Sequence, residues 1–333
     1  MNLVRASRLR LFSLFGLVGA GLALYSCEHR SSRGTSESGV LTASRRGAPP
    51  VPTICPDARD AGSTSTDGGA AKVRFAVLGD FGSTGPAEED VARLIKGWSP
   101  EFIITTGDNN YPNGAQETID LNIGQYYHEF IAPYIGSFGC GARTNRFFPS
   151  LGNHDWITDG AKPYFDYFKL PGNERYYEYV WGNVHLFALD SDTSEPDGTN
   201  EASVQATWLK QRLAASTATW KIVFFHHPPF SSGPHGPNVY MQWPFKAWGA
   251  SLVLSGHDHD YERLEVDGFP YAVIGLGGAS IYSEGTPAEG SQSRYDTGFG
   301  AGLIEADATS LRLTFMNTAG LKIDELVLTA PTR

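Results

Sequence analysis

Short apolar runs, each ending in a polar turn, recur along the chain. Residues 74–78 run into Gly79-Asp80-Phe81-Gly82, residues 102–106 into Gly107-Asp108-Asn109-Asn110-Tyr111, and residues 147–151 into Gly152-Asn153-His154-Asp155. Residues 221–225 lead into His226-His227-Pro228-Pro229, and residues 247–254 feed Gly256-His257-Asp258-His259. Runs this short, bounded by turn residues, predict buried strands. Between the first two, Val91, Leu94, Ile95 and Trp98 recur at helical spacing. Ser83 or Thr84 would cap that helix, Pro86 suits its first turn, and Glu88 and Glu89 suit its positive end. Strand, helix and strand make a βαβ unit with Asp80 and Asp108 at matching strand ends. Residues 184–189 predict another strand, ending in Asp190, and a helix follows from Ser203 to Ala215. Residues 116–146 read as irregular to helical, rich in Tyr and Phe. From Pro270 onward the pattern is mostly β, at 271–276, 301–306, 311–317 and 322–328. Strand-rich ends on both sides of the βα units predict an α/β (layered α+β) catalytic domain over residues 72–330. It is built of two packed mixed β-sheets flanked by helices.

The N-terminus follows different rules. Arg5, Arg8 and Arg10 precede an apolar stretch, residues 11–25, that is short for a membrane span and has the layout of a signal peptide over residues 1–27. Leu24-Tyr25-Ser26-Cys27 resembles a bacterial lipoprotein cleavage box, with Cys27 as the lipidation site; an ordinary signal peptide with an incidental Cys is the alternative. Residues 28–71 are rich in Ser, Gly, Pro, Thr and Ala without periodicity, a composition that predicts a disordered linker. The protein is therefore expected to be exported, to the bacterial cell envelope as a periplasmic or outer-membrane lipoprotein, or secreted. A lipid anchor would be its sole membrane contact. Of three Cys, Cys55 and Cys140 remain as an even pair in an oxidising setting, and both a disulfide and two free thiols stay open.

Charge narrows the partner. The net charge is -10, and the first seventy residues hold eight Lys/Arg and five Asp/Glu, leaving 18 basic against 31 acidic residues in the rest. No basic run follows Arg46, which argues against a nucleic-acid-binding surface. An acidic body also repels an anionic substrate at long range, an effect that bound cations would offset.

Asp80, Asp108, Asn153, His226, His257 and His259 each follow an apolar run and a turn, and each side chain can coordinate a metal. Tyr111, in the same loop as Asp108, adds a phenol. Two ions fit this ligand count better than one, with Asp108 as the carboxylate bridging them. Metals about 3.5–4 Å apart can clamp the attacking and leaving oxygens of a phosphoryl displacement, with a metal-bound hydroxide as nucleophile. His227 reads as structural or as support for the adjacent ligand, His185 as a core or edge histidine and His128 as a surface one, Asp155 as either a ligand-orienting or a capping residue, and Asn109 as either a phosphate contact or a turn residue. Tyr126, Tyr127, Tyr164 and Tyr167 read as packing residues.

Taken together and in order over residues 72–280, these loops resemble the five motifs of purple acid phosphatases, members of the calcineurin-like metallophosphoesterases. Many members of that superfamily carry Asp-x-His in the first loop. This chain has Gly82 where that His would stand and Tyr111 in the second loop, the exchange that singles out the purple group. The resemblance implies that Asp80, Tyr111 and His259 bind a first metal ion, that Asn153, His226 and His257 bind a second, and that Asp108 bridges. It implies Fe3+ at the first position, with Tyr111 as tyrosinate, and a divalent ion (Zn2+, Fe2+ or Mn2+) at the second. His154 would face substrate, stabilising phosphate or protonating the leaving oxygen. His235, nine residues after His226, resembles the single substrate-facing His of the smaller, animal-type (tartrate-resistant) members. The implied activity is hydrolysis of small phosphate monoesters. A phosphodiesterase or nucleotidase on the same scaffold is the alternative, and a surface lipoprotein that binds without turnover is the alternative of another class.

Overall fold

The computed structural model describes Cys55, residues 72–283 and residues 285–331. The predicted signal, the lipidation candidate Cys27 and, Cys55 apart, the predicted linker lie outside the described residues. The first apolar run forms β1 (Val73–Leu78), and α1 (Pro86–Gly97) crosses to the parallel strand β2 (Phe102–Thr105), which pairs in turn with parallel β3 (Phe147–Pro149). A second set begins with the antiparallel pair β4 (Tyr177–Trp181) and β5 (Val184–Ala188). From there α2 (Val204–Ala215) leads to β6 (Trp220–Phe224) and then β7 (Leu252–Ser255). Strands β8 (Tyr261–Val266), β9 (Phe269–Ile274) and β10 (Ser291–Tyr295) complete that sheet, in the order β10-β8-β9-β7-β6-β5-β4. The chain then returns through the meander β11 (Gly300–Ala306), β12 (Ser310–Asn317) and β13 (Lys322–Thr329), giving a first sheet ordered β13-β12-β11-β1-β2-β3. Among the described residues no helix is long and apolar enough to cross a membrane.

Both faces of the central strands are covered, which is why their sequences read as continuous apolar runs. Val73, Phe75 and Val77 of β1 join Ile222 and Phe224 of β6 in the core between the sheets, while Ala76 and Leu78 pack outward on Val91, Ala92 and Ile95 of α1. On the far side Val223 and Val253 pack with Ala206, Leu209 and Leu213 of α2. Burying each such large side chain stabilises the fold by about 1.5–3 kcal/mol. Strands β4, β8 and β10 were not predicted. They lie at or beside the edges of the second sheet, with half-exposed positions such as Glu178, Arg263, Ser293 and Arg294, so no apolar run marks them.

Two local expectations resolve. Cys55 and Cys140 form a disulfide, and the Cys55 N–H donates to Gly141 O at 2.9 Å, so the free-thiol alternative falls. Pro86 opens α1, yet neither Ser83 nor Thr84 caps it through its side chain. Instead the Glu88 carboxylate reaches back and accepts from Thr84 N at 2.8 Å and Ser83 N at 3.2 Å. Its other oxygen, Oε1, is buried without a partner. Burial therefore pushes the Glu88 carboxyl well above its ordinary value, against the two amides that favour the anion. A carboxyl raised in this way keeps its full contribution to stability below the unfolded value and loses it as pH rises through the folded one. Wild-type stability should consequently fall relative to Glu88→Gln as pH rises above the ordinary glutamate value of 4.5, by up to about 1.4 kcal/mol per pH unit, measured by urea unfolding of both proteins. Parallel pH profiles for the two would show that Glu88 ionises in the fold at no cost.

Candidate metal centre

The carboxyl ends of β1, β2, β6 and β7 meet at one place. Asp80 N donates to Gly107 O at 3.1 Å and Gly256 N to His226 O at 2.9 Å, so neighbouring loops within each sheet are laced together. Across the sheets Gly277 N donates to Gly79 O at 2.9 Å, and His257 N to Asp80 Oδ2 at 2.9 Å. Asp80, Asp108 and His257 each follow a glycine just past a strand end, and all three hold left-handed backbone at φ 57°, 51° and 71°. Non-glycine residues rarely adopt that region, and such positions cluster at functional sites.

The side chains form two clusters that share one carboxylate. In the first, Tyr111 Oη lies 3.0 Å from His259 Nε2 and 3.3 Å from Asp80 Oδ1, and His259 Nε2 lies 3.3 Å from Asp80 Oδ1. In the second, His226 Nε2 lies 3.0 Å from Asn153 Oδ1 and 3.1 Å from His257 Nδ1. Asp108 Oδ2 touches both, 2.9 Å from Tyr111 Oη and 3.3 Å from His226 Nε2. Its other oxygen accepts from His154 N at 2.9 Å. All seven sequence-predicted ligand residues are thus brought together.

The donor set fits cations. His226 Nδ1 faces Thr106 O at 2.8 Å, and a carbonyl only accepts, so Nδ1 carries the proton and neutral His226 presents a bare lone pair at Nε2. That lone pair points at the Asn153 carbonyl oxygen and the Asp108 carboxylate, which are acceptors as well. Acceptors converging in a buried pocket are what a metal requires and what an empty core avoids. One ligating atom from each of Asp80, Asp108 and His259 lies within 4.8 Å of the others.

Electrostatics says the same. Burial raises the Asp80 carboxyl despite the neighbouring imidazoles. For Asp108 burial is outweighed by His226 and His154, and the carboxyl is lowered. Burial disfavours a charged His226, yet Asp108 and Asp80 overcome it and draw the imidazole up to about 10. Burial and the two carboxylates together hold the Tyr111 phenol far above its ordinary value. Without a cation Tyr111 and His226 therefore keep protons that a bound cation would displace. Burial, with help from His226, pushes His257 down, leaving it neutral.

Around this core the other predicted residues divide. His154 packs beside Tyr111 with tilted rings 4.4 Å apart between centroids, and its side chain is 32% exposed. Its Nδ1 faces Pro112 O at 2.6 Å and its Nε2 lies 3.9 Å from Asp108 Oδ2. His235 sits beside His257 at 4.7 Å between centroids, its backbone N–H donating to Asp258 Oδ1 at 2.9 Å. His227 packs against the His257 ring at 4.4 Å and bonds Ser191 Oγ, and burial pushes it down to about 3, so it backs the site as a neutral ring. Asp155 accepts from Asn109 N and Nδ2 and from Gly152 N, which makes it a brace beneath the Asp108 loop. Burial, then the Asp108 charge, raise its carboxyl to about 7. Asn109 turns away from the cluster toward Ser150 O and Thr105. His185 pairs with Glu178 and His128 with Cys140 O, both remote from the ligands. Three contributors escaped the sequence. Tyr282 stacks on His259 at 4.0 Å, Ser280 Oγ bonds His259 Nδ1 at 2.6 Å, and Asn122 ties the first two loops. None of the three carries a motif, and folding brings them in.

Comparison with known proteins agrees with this geometry. Human tartrate-resistant acid phosphatase type 5 is 25% identical over 255 residues, covering 63% of this chain and 74% of the relative. Purple acid phosphatase 17 of Arabidopsis thaliana is 26% identical over 245 residues, covering 62% and 68%. Among solved structures, purple acid phosphatase PPD1 from yellow lupin seeds aligns with TM-score 0.64 and 18% identity over 80% of this chain and 55% of its own. GAP50, the anchor in the inner membrane complex of Plasmodium, aligns with TM-score 0.62 and 18% identity over 79% and 90%. At these identities the structural matches establish the fold alone. The calcineurin-like phosphoesterase family description matches residues 73–261, which include every ligand candidate, and the chain belongs to that family.

Proposed function

We propose that the protein hydrolyses small phosphate monoesters at a binuclear metal centre, as purple acid phosphatases do. The observation that carries this reading is Asp108, whose Oδ2 contacts Tyr111 Oη at 2.9 Å and His226 Nε2 at 3.3 Å and so belongs to both ligand clusters. Asp80, Tyr111 and His259 would hold the first ion, Asn153, His226 and His257 the second, and Asp108 both. Two carboxylates and a phenolate favour a hard trivalent ion, Fe3+; two imidazoles and an amide oxygen favour Zn2+, Fe2+ or Mn2+. When bound, such a pair acidifies water and neutralises phosphate charge. That neutralisation matters here, because the chain after residue 70 carries 31 acidic against 18 basic residues.

The chain's own groups do the rest. His154 donates from Nδ1 to Pro112 O, so Nε2 is the atom that accepts and releases a proton, directed toward the leaving oxygen. His235, held by Asp258, offers a second contact to the phosphate from the opposite cluster. Glycines let the loops close in: a Cβ on Gly152 would overlap the Asp108 carboxylate, and one on Gly82 the Asn109 carbonyl. The likeness to acid phosphatases and the absence of a basic run both favour a small-molecule ester over a nucleic acid. Export to the cell envelope or medium, with Cys27 as a lipid attachment site, accords with the Cys55–Cys140 disulfide, which persists in oxidising compartments.

Purified, metal-loaded protein should turn over an aryl phosphate monoester well above the matching diester, and the oxidised form should carry a tyrosinate-to-iron band in the visible. Diester turnover exceeding monoester turnover would move the assignment to a phosphodiesterase, and no turnover of either to a binding protein. Loss of the band with activity intact would sink the iron assignment alone.

Removing single groups separates their roles. Asp108→Ala should release both metals and abolish activity together. His154→Ala should keep both metals, by elemental analysis, while kcat falls by about 10²–10⁴. Loss of metal in His154→Ala would make it a ligand-supporting residue instead.

A further inference from the structure

Asn122 is 3% exposed and belongs to a five-residue π-helical turn, Asp120–Gly124, in the segment that sequence left as irregular. Such single turns recur at functional sites. Its Nδ2 faces three oxygens: Gly82 O at 2.7 Å, Asn110 Oδ1 at 2.8 Å and Tyr111 O at 3.0 Å. One amide group thus reaches the first metal-site loop and, twice, the second. Gly82 O also accepts from Tyr111 N at 2.6 Å, so the three residues close a ring of hydrogen bonds beneath the Tyr111 side chain. Asn110 Oδ1 is held from the other side by Thr118 Oγ1 at 2.7 Å.

The turn itself is built rigid. Asp120 at its start accepts from Tyr134 Oη at 2.7 Å, Tyr167 Oη at 2.8 Å and Ser137 N at 2.8 Å. A Cβ on Gly124 at its end would overlap the Asp120 carboxylate. The turn therefore presents Asn122 at a fixed place, and the side chain gains nothing from packing that a donor-free residue of its shape would lack.

We propose that Asn122 is a positioning residue for Tyr111. Its two N–H groups clamp the Gly82 carbonyl to the Asn110 side-chain oxygen and the Tyr111 carbonyl, and so set where the phenol meets Asp80, Asp108 and His259. The functional consequence rests on the reading of Tyr111 as a ligand of the first metal; the clamp itself does not. The donor requirement distinguishes positioning from packing. Asn122→Asp keeps the shape but turns a carboxylate toward three acceptors, whereas Asn122→Ala only removes the donors.

The test follows backbone amide exchange at Tyr111 in the metal-free protein, and the visible band after loading with ferric iron. Exchange at Tyr111 should accelerate roughly threefold to tenfold in Asn122→Ala, the loss of one net hydrogen bond, and more in Asn122→Asp. The iron band should shift or weaken in the same order while that of a variant at an exposed residue of the same segment, Glu117→Ala, moves least. Failure of Asn122→Asp to fold where Asn122→Ala folds counts in favour, because the isosteric side chain then fails only by its charge. Wild-type-like exchange in Asn122→Asp, a larger effect in Asn122→Ala than in Asn122→Asp, or loss of folding in both overturns the proposal. If the wild type shows no iron band, the metal reading fails, and amide exchange still decides the clamp.

Discussion

The centre depends on one buried carboxylate. Asp108 stands at the carboxyl end of β2, in left-handed backbone, with one oxygen bound by the His154 N–H and the other in contact with both clusters. A charge buried to 1% exposure would cost several kcal/mol if left alone. Imidazoles, a phenol and a backbone N–H surround it here, so the fold tolerates the charge only because the whole site assembles. The glycines follow from the same constraint: Gly107 packs on the His226 ring and Gly152 on Asp108, and no larger residue fits either place.

A second constraint is space in the first loop. Gly82 lies so close to the Asn109 carbonyl that it has no room for a side chain, and its own carbonyl accepts from Tyr111 N. The first loop therefore cannot supply a third ligand from that position. The second loop, pressed against it, supplies Tyr111 instead, with Asn122 holding the two together. A side chain at residue 82 would run into the backbone of Asn109 and Asn110, so the phenol of Tyr111 is the group that reaches Asp80 from this pair of loops. That group sets the hardness of the donor set and hence the kind of ion it suits.

The two sheets supply the candidate ligands unequally. Asp80, Asp108 and Asn153 come from loops after β1, β2 and β3 of the first sheet, while His226 and the 256–259 loop follow β6 and β7 of the second. Carboxylates and amide thus come from one side and imidazoles from the other. Packing between the sheets, through Phe75, Val77, Ile222 and Phe224, holds the two halves in register. Stability of the core and integrity of the centre are accordingly the same property.

The sequence by itself determined the strands that carry the site, because strands covered on both faces must be continuously apolar, and it marked the candidate ligands, because each lies in the loop that ends such a run. The roster of candidate ligands was legible for that reason, including Tyr111 against Gly82. Edge strands β4, β8 and β10 were not, since a half-exposed strand leaves no apolar run. Nor was the brace at the start of α1, where Glu88 reaches back to backbone amides in place of a side-chain cap. Only the tertiary structure decided that Cys55 meets Cys140 and that Asn109 turns away from the cluster. The same holds for Tyr282, Ser280 and Asn122, which complete the site from distant segments. Those outcomes rest on distances between chain segments far apart in sequence, and local pattern carries no information about such distances.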